Sequence, residues 1–87
     1  MDNVSKGCRI MLTKMLNKYI IGGKHTPERL VIKKIKHFPK EEYKTAIQDW
    51  AECIKDGLVL IKQKPNERHV SLNPHRIGEI EKLTGEP

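Results

Sequence analysis

The residues with the clearest chemistry in this chain are its cations. Seventeen lysines and arginines stand against eleven acids over 87 residues, and they are unevenly spread. Residues 1–40 carry ten of the cations and two of the acids, a net of +8. Residues 41–56 are net −3 and residues 57–87 net +1. Ammonium and guanidinium groups in such excess suit a polyanion, above all a nucleic-acid backbone whose counterions they displace. Other chemistry finds little to work with. His25, His37, His69 and His75 hold no ligand spacing, and Cys8 and Cys53 form no Cys-x-x-Cys pair, so no metal is expected. Both cysteines read as small buried hydrophobes, and a bridge between them requires their helices to touch at those positions. Gly22-Gly23-Lys24 lacks the strand–loop–helix setting and the trailing Ser/Thr of a phosphate loop. No nucleophile–base pair and no paired carboxylates can be picked out. The chain is expected to be a non-enzyme without a cofactor.

These side chains must be held by one small domain over residues 1–87, because a chain of this length builds a single core. Its most regular element is a predicted helix over residues 39–56. Tyr43, Ala46, Ile47, Trp50 and Ile54 recur at steps of three and four, which lines one face. Pro39 suits the first turn, and Gly57 stops the helix by taking a left-handed conformation without a Cβ penalty. A first helix is predicted over residues 4–20, with Val4, Cys8, Met11, Leu12, Met15, Leu16 and Tyr19 inward, Asp2 or Asn3 as cap and Gly22-Gly23 as stop. Lys24-His25-Thr26 reads as a short edge strand. Thr26-Pro27-Glu28 then reads as a capped start for a helix over residues 27–36. Phe38-Pro39 marks the break before the next helix. Leu58-Val59-Leu60-Ile61 and His69-Val70-Ser71-Leu72 read as a hairpin over residues 58–72, turning at Pro65-Asn66-Glu67-Arg68. Asn73-Pro74 caps a last helix over residues 74–83, and Gly85-Glu86-Pro87 reads as a frayed tail.

The fold class expected is α+β, mainly α. The order helix, short strand, helix, helix, strand, wing, strand, helix resembles the winged helix-turn-helix DNA-binding superfamily, small archaeal members in particular. The residues that carry the resemblance are Thr26-Pro27-Glu28, Phe38-Pro39, the Trp50 helix, Asp56-Gly57-Leu58-Val59, residues 62–69 and Val70-Ser71-Leu72-Asn73-Pro74. It covers residues 24–83 and rests on element order and punctuation rather than on a chemical motif.

The resemblance implies a three-helix core, a two- to three-stranded antiparallel wing sheet and a C-terminal helix. It makes the 39–56 helix the recognition helix, with Lys40, Lys44, Thr45 and Gln48 placed for the major groove. The wing would bring Lys62, Lys64 and Arg68 to phosphates, and Lys24, Arg29 and Lys33 would add backbone contacts that position rather than specify. Duplex DNA is then the expected partner and transcription regulation the expected role. A protein-interaction subunit is the alternative, motivated by Glu41 and Glu42 at the start of that helix, and RNA binding is a third. A homodimer is a further expectation, with its seam along Met11/Met15 or around Ile80. No apolar run approaches the ~20 residues a bilayer requires, and Met1-Asp2-Asn3-Val4-Ser5 lacks the layout of a signal peptide, so a cytoplasmic protein is expected.

Overall fold

The computed structural model describes residues 2–85, and Glu86 and Pro87 of the expected tail lie outside them. Its helices are α1 (Lys6–Asn17), α2 (Glu28–Ile32), extended by a 3-10 turn (Lys33–Ile35), α3 (Lys40–Lys55), and α4 (Ile77–Thr84), which follows a 3-10 turn (Pro74–Arg76). The strands are β1 (Thr26–Pro27), β2 (Val59–Gln63) and β3 (Arg68–Leu72). They form one antiparallel sheet in the order β1-β3-β2. The result is a small, mainly helical α+β unit.

The element order follows the predicted one, and its differences have local causes. α1 ends at Asn17 rather than running on to residue 20. Tyr19 takes φ 54°, its N–H bonds the Leu16 carbonyl, and the Ile20 N–H bonds the Met15 carbonyl. That is a Schellman closure with tyrosine in the left-handed position, so Tyr19, not Gly22-Gly23, stops the helix. Tyr19 is 73% exposed and leaves the apolar face it was expected to share. At the other end the cap position is Ser5, not Asp2 or Asn3. Asn3 Oδ1 accepts from the Val4 N–H, and Asp49 of α3 accepts from the Ser5 N–H at 2.6 Å. Thr26 does not cap α2, because Thr26 and Pro27 are drawn into the sheet opposite Val70 and His69.

α3 behaves as its periodicity requires. Ala46, Trp50 and Cys53 are buried, while Tyr43, Ile47 and Ile54 flank them half-buried. Gly57 at φ 82° closes the helix, with the Leu58 N–H reaching back to the Cys53 carbonyl. α1 lies close against α3 because Gly7 has no side chain there: a Cβ at Gly7 would stand 2.6 Å from the Ala46 Cβ. Cys8 and Cys53 meet in the same contact, Sγ to Sγ 3.9 Å, with no disulfide between them. The hydrogen bond to Cys53, then burial, holds the Cys8 proton well above the ordinary thiol range. Met11, Met15 and Ile80 are fully buried in the core, so none of these three side chains reaches the surface. Val70 and Leu72 of the central strand β3 are buried, whereas Leu60 and Ile61 on edge strand β2 remain exposed. Asn73 closes the sheet onto the last helical segment. Its Oδ1 accepts from the His75 N–H, and its Nδ2 donates to the Gly57 carbonyl. No helix among the described residues is long and apolar enough to cross a membrane.

Candidate nucleic-acid interface

The ten sequence-predicted site residues fall into four groups. On α3, Lys40, Lys44 and Gln48 stand exposed on the side opposite the buried Ala46 and Trp50. Thr45 is exposed too, but it borders a cleft of about 210 Å³ between α3 and the start of α1. Glu41 and Glu42 line that cleft with Ser5, Lys6 and Gly7. The two acids therefore lie beside the positive end of α1, where the helix dipole favours them. Ser5 Oγ is buried with no hydrogen-bond partner among the described residues.

At the wing, Lys62 and Lys64 make no ion pair among the described residues. The β2–β3 turn is closed by the Lys64 N–H bonding the Glu67 carbonyl at 3.0 Å. At the foot of the hairpin, His25 Nδ1 and His69 Nδ1 are 2.7 Å apart, so one ring donates to the other. Partial burial, then Lys64, His69 and Lys62, lowers the proton affinity of His25. His69 is half-buried and bonded to His25.

The two arginines expected to touch phosphate are engaged inside the protein. Arg68 Nε and Nη2 donate to the two carboxylate oxygens of Glu28 at 2.7 and 2.8 Å. Glu28 Oε2 also accepts from the Trp50 indole N–H at 2.8 Å. Burial raises the Glu28 proton affinity, but the Arg68 and Trp50 hydrogen bonds outweigh it and hold the carboxyl below its usual range. Arg29 Nε donates to Glu67 at 2.8 Å, tying α2 to the wing turn. Lys24 Nζ bonds the Lys18 carbonyl just past the end of α1.

Lys33 lies elsewhere. It borders a depression between α1 and α2 with Lys14, Leu30, Lys34 and Lys36. An adjoining depression over α1 is lined by Arg9, Lys14 and Lys34 among others. Arg9, Lys14 and Lys36 were not singled out from the sequence. The signal was present in the +8 of residues 1–40, but charge counting does not say which face the charges share.

Among the described residues no three His, Cys, Asp or Glu side chains converge as a metal site. Comparison of the chain with protein-family models, with curated proteins and with solved structures returns no match.

Proposed function

We propose that the chain is a winged-helix nucleic-acid-binding module, with duplex DNA as its ligand and transcription regulation as its role. The observation that carries the reading is the free face of α3. This helix is anchored by Trp50 on one side and leaves Lys40, Lys44 and Gln48 exposed on the other. The sheet order β1-β3-β2 supports it, because it sets a short hairpin with Lys62 and Lys64 directly after that helix. Binding is equilibrium recognition with no covalent step. The lysines displace counterions, and Gln48 offers a bidentate amide to an adenine edge. Thr45 stands at the margin of the contact. Arg29 and Arg68 act indirectly, by bracing α2 and β3 through Glu67 and Glu28.

With Lys40, Lys44, Lys62 and Lys64 as phosphate contacts, log K against log salt should fall with a slope of about −0.9 times four, near −3.6. Fluorescence anisotropy of a labelled mixed-sequence duplex between roughly 50 and 200 mM salt reads this slope. A flat response, or no binding at low salt, refutes the proposal. Glu41 and Glu42 favour a second reading, a protein-interaction subunit that docks a basic segment in the cleft they line. That reading predicts no duplex affinity and a stable protein partner.

A further inference from the structure

The lysine face on α1 and α2 is not used by the interface just described. On α1, Gly7 and Cys8 face α3; on α3, Ala46 and Cys53 face α1. Arg9 on α1, and Lys44 and Gln48 on α3, stand on sides turned away from this contact, so the two exposed helix faces look in different directions. Three adjoining depressions cover the α1–α2 side. The residues lining them include Arg9, Lys14, Arg29, Lys33, Lys34 and Lys36, and no carboxylate among the described residues. Arg29 is already engaged by Glu67, which leaves five cations. Lys14 is the fixed one: its Nζ donates to the Leu30 carbonyl, which pins the ammonium between the helices. Burial first, and then the charges of Lys34, Lys18 and Lys33, lower its proton affinity. A polyanion laid across the face would offset the like charges gathered in these depressions.

We propose that this face is a second surface for a phosphodiester backbone, so that one molecule holds two duplex DNA segments at once. Its occupant is read without sequence, because lysines act as point charges and carry no base-reading fork. The inference rests on the DNA-binding reading above, and its test separates the two.

A biotinylated duplex is fixed on beads, the protein is added, and capture of a second, fluorescent duplex is measured. In parallel, anisotropy gives the affinity for one duplex. The variant K33A/K34A/K36A removes three exposed side chains and leaves the Lys14 anchor in place. It should lower capture at least about tenfold and reduce the salt slope of capture by roughly 3, close to one per lysine removed. Its single-duplex affinity should stay within about threefold of the parent. K44A/Q48A/K62A/K64A should weaken both readouts. If K33A/K34A/K36A captures as the parent does, or if the parent binds one duplex and captures none, the second surface is refuted and the first stands. If the parent binds no duplex, both proposals fail. A self-associated protein with one surface each would keep capturing in the lysine variant, and that result also overturns the proposal.

Discussion

Removing the carboxylate of Glu28 perturbs three elements at once. It opens α2, receives the Trp50 indole N–H from α3, and receives both Arg68 nitrogens from β3. Glu28→Ala leaves the indole N–H unsatisfied beside a residue only 2% exposed. An orphaned buried donor of this kind costs about 1–3 kcal/mol. The Arg68 side chain is 42% exposed, so water takes over much of its lost pairing, and that part is worth about 1 kcal/mol at most. Losing an acid from the first turn of a helix costs about 0.3–1 kcal/mol more. The sum is about 1.3–5 kcal/mol. At about 4–8 °C per kcal/mol for a domain of this size, Tm should fall by roughly 5–40 °C.

The same network sets a pH dependence. The folded carboxyl of Glu28 is depressed, so its contribution is complete above the ordinary glutamate range and is lost as pH falls through the folded value. Glu28→Gln keeps an acceptor and removes the titration. The parent should therefore lose Tm on acidification below about pH 4.5 more steeply than Glu28→Gln does. Circular dichroism melts of parent, Glu28→Ala and Glu28→Gln across a pH series from about 3 to 7 measure both effects. A Glu28→Ala melt within about 3 °C of the parent at neutral pH, or parallel acid profiles for parent and Glu28→Gln, would refute the reasoning.

Two further outcomes concern the core. Trp50→Ala should destabilise by about 3–5 kcal/mol by chemical denaturation, and an unchanged midpoint would mean that the inward face of α3 is misassigned. Gly7→Ala gains up to ~1 kcal/mol of helix propensity but drives a methyl to 2.6 Å from the Ala46 Cβ. With overpacking costing about 1–3 kcal/mol, the net effect should be destabilising. The double variant Gly7→Ala/Ala46→Gly should recover most of the loss in a double-mutant cycle; strictly additive losses would show that the two helices do not meet there.

The placement of Arg68 carries a practical consequence for the wing. A substitution there tests folding as much as binding, because it breaks the Glu28 network. Lys62 and Lys64 are the clean probes, since among the described residues neither holds another element in place by an ion pair.

What could be read from the sequence is what local sterics and periodicity control. Pro39 and Gly57 bracket α3 because one restricts its own φ and the other accepts a positive φ. The apolar steps of three and four from Ala46 to Trp50 and Cys53 choose which side of α3 is buried. Asn73 caps the segment that follows it because its acceptor and the His75 N–H are two residues apart. The hairpin follows from two β-prone runs around a turn-forming stretch. Each of these acts across a few residues, so chain order alone suffices.

The fate of the charges was decided elsewhere. Arg68 meets Glu28 across 40 residues of sequence, Arg29 meets Glu67 across 38, and His25 meets His69 across 44. Free lysines and braced arginines look alike in sequence. Which cation finds an acid depends on where β3 crosses the start of α2. Lys33 and Lys34 join Lys14 because α2 packs along α1, a choice made by Gly7, Val31 and Ile35 in the core rather than by the lysines themselves. Tyr19 in a left-handed turn is the reverse case, a local conformation chosen against its intrinsic cost. Cys8, Met11, Leu12 and Met15, and then Ile20, are all buried, and the chain delivers Ile20 to the core by reversing at the residue before it. Hydrophobic spacing names the elements; the geometry of their packing assigns each charge its partner.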